Sequence, residues 1–211
     1  LPGTFTKLAE SGGKRVETGM AATGGWTLAE HVKSEETLEK INSFKWNFIV
    51  LQEQSQTPAV EQVREMTMYP AARTLAAKIR ETGAIPVFFV TWAHRSGWPE
   101  NHLDSYETMQ LQIDEGYVRI ARELNAPLAP VGFAWYKLWK QNPQMDLWQD
   151  DGSHPKEGGT YLAACVFYAT LYRQSPEGLS YRGDLSADEA KTLQKIAADT
   201  VLKEPGRWNL P

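Results

Sequence analysis

A single cysteine in 211 residues rules out a disulfide within the chain. Cys165 lies inside Ala163-Ala164-Cys165-Val166-Phe167 and reads as a small core residue rather than a nucleophile, so it leaves the compartment open. No run of about 18 apolar residues is present, which excludes a helical membrane span. Basic residues are not in excess: 22 Lys and Arg stand against 26 Asp and Glu, a net charge of -4, and no basic cluster overrides that balance. Nothing here would attract nucleic acid. Of the four histidines, His94, His102 and His154 lack the compact spacing of metal ligands, while His31 and His102 read as surface residues. Neither a metal nor a cofactor is called for. The chain has no internal repeat, no low-complexity tract and no linker.

What is there describes an ordinary globular protein, with 42% hydrophobic and 23% charged residues. Residues 1–211 suffice for one sizeable core and are too few for two, so a single domain is expected. The chain opens at Leu1 without a methionine, and a segment upstream of it is expected. A secreted or periplasmic location follows if that segment held a signal peptide since removed.

The chain alternates between two hydrophobic periods. A short helix up to Ser11, with Phe5, Leu8 and Ala9 on one side, is stopped by Gly12-Gly13, and a short strand around Arg15 to Met20 follows. Thr27 is a cap for a helix running to about Ile41. Phe48-Ile49-Val50-Leu51 is a compact apolar run of the kind found in strands covered on both faces. Val60 to Glu81 reads as a helix closed by Gly83, and Ile85 to Thr91 as a second covered strand. Met109, Ile113, Tyr117, Ile120 and Leu124 form one stripe of a helix from Ser105 to Leu124. Pro127 to Val131 is a third strand. Helices are expected over Phe133 to Gln141, Thr160 to Tyr172 and Ser186 to Leu202, the last with Ser186 as cap and Asp188 and Glu189 behind it.

Strands alternating with helices of this length imply a parallel sheet covered on both faces, a three-layer αβα sandwich. In such sheets ligands bind beyond the carboxyl ends of the strands. Four polar segments should therefore share one rim: Gly24-Gly25-Trp26, Gln52-Glu53-Gln54, Trp92-Ala93-His94 and the loop around Asp151.

That last loop, Trp148-Gln149-Asp150-Asp151-Gly152-Ser153-His154-Pro155, places a carboxylate three residues before a histidine. An imidazole acts as general base only when held in one tautomer, and a carboxylate on its far nitrogen does that. Gly152 permits the tight turn, and Pro155 biases His154 away from the α region. The plainer reading is an exposed loop whose histidine merely precedes a helix. Gly25, through its backbone N–H, and Gln54, through its side-chain amide, are neutral donors suited to a developing oxyanion. Each also has a plainer reading, Gly25 as a turn residue and Gln54 as a helix cap or loop filler. Trp26 and Trp92 at the rim are placed to line an acyl pocket or stack on a sugar ring, and His94 and Glu53 to bind a substrate hydroxyl. Trp98 lies nearby, although most of the eight tryptophans should simply be core.

With these residues in view the chain resembles the SGNH/GDSL-type hydrolases, serine esterases on a flavodoxin-like three-layer fold. Asp151-Gly152-Ser153-His154 matches the family's last block, which completes its catalytic triad. Gly24-Gly25-Trp26-Thr27 sits where the family supplies its oxyanion glycine, here Gly25. Leu51-Gln52-Glu53-Gln54-Ser55 sits where the family reads G-x-N-D, so Gln52 replaces the glycine and Gln54 the oxyanion asparagine. The likeness covers the chain from Leu1 to about Tyr172, and its nearest branch is the poorly characterised one with L-Q-E-Q-S after the central strand and W-A-H after the next. The family's nucleophilic serine, in a G-x-S turn after its first strand, has no counterpart here, and neither does that strand. Ser55 and Ser153 are the serines nearest the rim, but neither sits on a glycine-flanked elbow.

The resemblance implies hydrolysis of short-chain acyl esters, on carbohydrate or another small polar alcohol, using a serine upstream of Leu1. The alternatives are a non-catalytic carbohydrate-binding protein on the same fold and, third, an acyltransferase using the same rim.

Overall fold

The structure is a computed structural model and describes residues 1–210. Three parallel strands form its sheet: β1 (Phe48–Leu51), β2 (Ile85–Phe89) and β3 (Leu128–Ala129), in the order β1-β2-β3. The register pairs Val50 with Val87 and Phe88 with Leu128. Helices cover it as the alternation requires. The chain runs α1 (Pro2–Ser11), α2 (Leu28–His31), α3 (Glu35–Asn42) and β1, then α4 (Glu61–Val63) and α5 (Tyr69–Glu81) before β2. Next come α6 (Tyr106–Glu123), β3, α7 (Val131–Gln141), α8 (Glu157–Tyr172) and α9 (Ala187–Val201). Helices α5 and α6 pack on β2, while α8 lies against β3 and is flanked by α1, α7 and α9. The αβα sandwich expected from the alternation is present.

The local signals that hold are those a segment decides by itself. Phe5, Leu8 and Ala9 are the buried face of α1. Ser186 caps α9 with Glu189 reaching back, the reciprocal pair that satisfies two orphan amides. α8 is buried almost all round from Tyr161 to Thr170, as a helix lying in the centre of a layer must be. Between α4 and α5, Arg64–Met68 forms a π-turn. Pro70, just beyond it, has no N–H to give the preceding turn, so the ladder loosens there without breaking.

Three expectations are corrected. The helix begun at Thr27 stops at His31, because Ser34 accepts the Thr37 N–H and starts α3 afresh. The strand expected around Arg15 to Met20 does not form. That stretch is extended, but Arg15–Ala22 makes no backbone-to-backbone hydrogen bond, the flanking ones being Lys14 N–H to Ala9 and Trp26 N–H to Thr23. Third, β1 is not covered on both sides. It pairs with β2 alone, Phe48 and Ile49 are half-buried, and Val50 is 41% exposed. The apolar residues of β2 and β3 are buried apart from Ile85 at the start of β2, so beyond the β1 edge the exposure is limited to that one strand end.

Candidate active site

The carboxyl end of β2 is fixed from beneath. Gln110, fully buried on α6, accepts the Ala93 N–H at 2.8 Å and donates to the Thr91 carbonyl at 3.1 Å and to Asp114 at 2.8 Å. Gly132 packs so closely on the Thr91 carbonyl that a Cβ there would lie 2.3 Å from it. Burial pushes the Asp114 carboxyl up to about 8, so it is held there as a neutral acid.

From this anchored end, Trp92–Arg95 reaches across to the loop that carries His154. Trp92 donates its indole N–H to the Ser153 carbonyl at 2.8 Å, and Trp148 donates its own to the Ala93 carbonyl at 3.0 Å. The Arg95 N–H meets the Gly152 carbonyl at 2.8 Å. Its guanidinium holds Asp146 at 2.8 Å and the Trp148 carbonyl at 3.1 Å, and Lys156 reaches the same Asp146 at 2.8 Å. Gly152 takes φ +68°, which the turn demands and glycine adopts without strain. Removing the clamp with Arg95→Ala should lower any His154-dependent turnover about tenfold while the melting temperature changes little, because the ion pair is exposed. Paired kinetics and thermal melts check this.

Asp151 and His154 meet as their spacing suggested. One carboxylate oxygen accepts the backbone N–H of Ser153 and of His154, each at 2.9 Å, and the other lies 2.6 Å from His154 Nδ1. The Ser153 amide, then the imidazole, then the His154 amide lower the Asp151 carboxyl to about 2. Its charge therefore contributes to the loop above about pH 4 and is lost as pH falls toward 2. An ionised carboxylate only accepts, so Nδ1 carries a proton, and whenever the ring holds one proton the lone pair is on Nε2. The His154 side chain is 72% exposed, so that nitrogen is presented to the rim.

The second histidine is placed differently. His94 is half-buried, with Nε2 3.3 Å from the Ser55 hydroxyl at the end of β1. Desolvation lowers its basicity, partly opposed by the charge of Asp151 and reinforced by His154. Two imidazoles thus stand in segments that are hydrogen-bonded to each other, His94 in the one after β2 and His154 in the loop between α7 and α8. Their surroundings are opposite, His154 open and steered by a carboxylate, His94 half-buried and on a hydroxyl.

The remaining rim residues divide. Gly25 takes φ +79° in an exposed turn closed by Trp26 N–H to Thr23, and Trp26 meets the His31 ring edge-on at 5.2 Å. Gln54 folds onto its own loop: its carbonyl accepts the Gln56 and Thr57 N–H groups at 2.9 and 3.3 Å, and its amide donates to Gln56 at 3.3 Å. Glu53 is fully buried, with its carboxylate on the Leu28 N–H at 3.2 Å and the Gln54 N–H at 2.8 Å. It ties the start of α2 to the end of β1 and does not face a substrate, a correction to the role expected for it. Trp92 is partly buried: its ring stacks on Trp135 at 4.3 Å and its N–H is used by the Ser153 carbonyl. Neither of two surface hollows, one beside Phe44 and one beside Trp208, includes the dyad, which stands on an open rim.

Burial raises the Glu53 carboxyl to about 7. The unfolded chain ionises near 4.3, so between roughly pH 4 and 7 the folded state holds a proton that the unfolded state has lost. Stability present at pH 4 therefore declines as pH rises to about 7, by on the order of 3 kcal/mol. Glu53→Gln should flatten part of that decline in urea midpoints recorded from pH 5 to 8. An unchanged slope would assign the decline to Asp114.

Sequence reasoning did not find Arg95, Asp146, Gln110 or the Ser55–His94 contact. Only Gln110 and Asp114 carried a signal, two polar residues four apart on the stripe side of an otherwise apolar helix face.

No sequence-family profile and no curated relative matches this chain. Two solved structures resemble it. One is a DUF4886 family protein from Bacteroides uniformis, 18% identical, with a TM-score of 0.77 over 94% of this chain and 88% of that one. The other is described as "a putative SGNH hydrolase" from Slackia heliotrinireducens, 28% identical, with a TM-score of 0.64 over 80% of this chain and 90% of that one. The fold is SGNH-like, and the second likeness points to hydrolase-type function. Among the described residues no helix is long and apolar enough to cross a membrane.

Proposed function

We propose that the protein is a serine ester hydrolase acting on short acyl groups carried by carbohydrate or another small polar alcohol. The observation that carries this reading is the Asp151–His154 pair, 2.6 Å apart, with Nε2 free at the carboxyl end of a parallel sheet. His154 takes the proton of the attacking serine, that serine's oxygen bonds to the acyl carbon, and His154 passes the proton to the departing alcohol. Water then repeats the sequence and releases the acid. Gly25 supplies an N–H to the oxyanion. Gln54 joins it once its amide leaves Gln56, a change that substrate binding must drive.

The serine lies on a strand upstream of Leu1. The unpartnered edge of β1, with Val50 exposed, supports that placement, since a strand added there would pair it. The test is a short-chain ester assay on the protein extended upstream, beside its His154→Ala variant. Turnover lost in the variant agrees with the proposal, and equal turnover in both ends it. The second reading, a non-catalytic carbohydrate-binding protein, is favoured by one observation, the engagement of Gln54 within its own loop. It gives sugar binding without ester cleavage.

A further inference from the structure

We infer that His94, held by Ser55, reads a hydroxyl on the alcohol half of the ester and so selects esters of neutral polyols. The inference rests on the hydrolase reading above and names its substrate class. A short acyl group offers one polar atom, its carbonyl oxygen, and that oxygen faces the oxyanion donors. Any further hydrogen bond to a rim imidazole must come from the alcohol half. His94 is suited to such a bond: Nε2 is engaged by Ser55 at 3.3 Å, while Nδ1 has no hydrogen bond among the described residues and is not one of the buried unpartnered atoms, so it remains open to a ligand. The ring is half-buried, and its desolvation disfavours the charged form.

Ser55 does more than fill space. Its hydroxyl both donates and accepts, so His94 is free to present Nδ1 as a donor or as an acceptor, and either end of a substrate hydroxyl can be met. A neutral imidazole next to the Asp151 carboxylate favours an uncharged alcohol, because an anionic one would meet that carboxylate. A purely apolar alcohol leaves Nδ1 without a partner after displacing its water, which costs affinity. Ser55 is thus a positioning residue, and His94 is the group that touches substrate.

The experiment compares glycerol monoacetate with propyl acetate, two esters of three-carbon alcohols that differ in their hydroxyls. In the full-length protein His94→Phe should lower the ratio of kcat/KM for monoacetate over propyl acetate about tenfold, the loss falling on KM. Ser55→Ala should lower the same ratio by about threefold and Ser55→Thr restore it. An unchanged ratio, or equal losses on both esters, would overturn the inference. His154→Ala, which removes turnover of both esters, tests the hydrolase reading separately. Should the wild-type protein turn over neither ester, the ring nitrogen shifts of His94 still decide. A change with glycerol monoacetate and none with propyl acetate supports the inference, and identical behaviour with the two overturns it.

Discussion

Replacing His154 with alanine is expected to lower ester turnover by at least about 10³-fold, with the fold and melting temperature intact. The side chain is 72% exposed, so its loss removes chemistry and little packing. Asp151→Asn should fall almost as far, by about 10³–10⁴-fold, for a different reason. The carboxylate now fixes the proton on Nδ1 and leaves the Nε2 lone pair toward the rim. An asparagine amide can donate to Nδ1 instead, which moves the proton to Nε2 and removes the base. Asp151→Asn also weakens the acceptor for the Ser153 and His154 amides, so the loop loosens slightly. Imidazole added to the His154→Ala protein should restore a small fraction of turnover, and none to Asp151→Asn. Kinetics on one aryl acetate check all three.

The second large effect is on stability. Trp135 is fully buried at the meeting of α7, the Trp92 segment and the Trp148 loop, stacked 4.3 Å from Trp92 and edge-on to Trp148 at 5.1 Å. Truncation to alanine leaves a cavity too hemmed in to close, since even one added carbon on Gly159 would lie 2.5 Å from the ring. The expected cost is about 3–5 kcal/mol, a fall in melting temperature on the order of 10 °C. Trp135→Phe should cost much less. The indole N–H of Trp135 has no hydrogen-bond partner among the described residues, so phenylalanine sheds an unpaired buried donor while keeping a ring against Trp92. Because Trp92 is also the donor to the Ser153 carbonyl, Trp135→Ala should slow catalysis even below its melting point. Urea melts of the two variants, run beside initial rates, separate packing from positioning.

Much of this was legible from spacing. The Asp151–His154 contact was, because its hydrogen bonds run within four residues of the chain, although the loop as a whole is also held by Trp92 and Arg95 from far away in sequence. The same holds for the Ser186 cap and for the buried face of α1. What the sequence could not reveal are contacts between segments far apart in the chain. Arg95 finds Asp146 across 51 residues and Ser55 finds His94 across 39, and neither residue type announces its partner. Glu53 misled in the opposite direction: a carboxylate at a strand end looks like a ligand group until it is seen capping the Leu28 and Gln54 amides from a fully buried position. Trp92 carries a further contact that pattern did not show, its N–H on the carbonyl of Ser153 sixty-one residues away. Arg15–Met20 has strand-like residues but no neighbour to pair with, and pattern alone cannot report a missing partner.

The central claim is that an imidazole on Asp151 activates a serine held against the β1 edge. The measurement that meets it most directly is fluorophosphonate labelling of the protein extended upstream of Leu1, with the adduct located by peptide mass spectrometry. The account predicts one modified serine, upstream of Leu1, labelled at least about 10²-fold more slowly in His154→Ala. No adduct, or labelling at the same rate in both proteins, would contradict it.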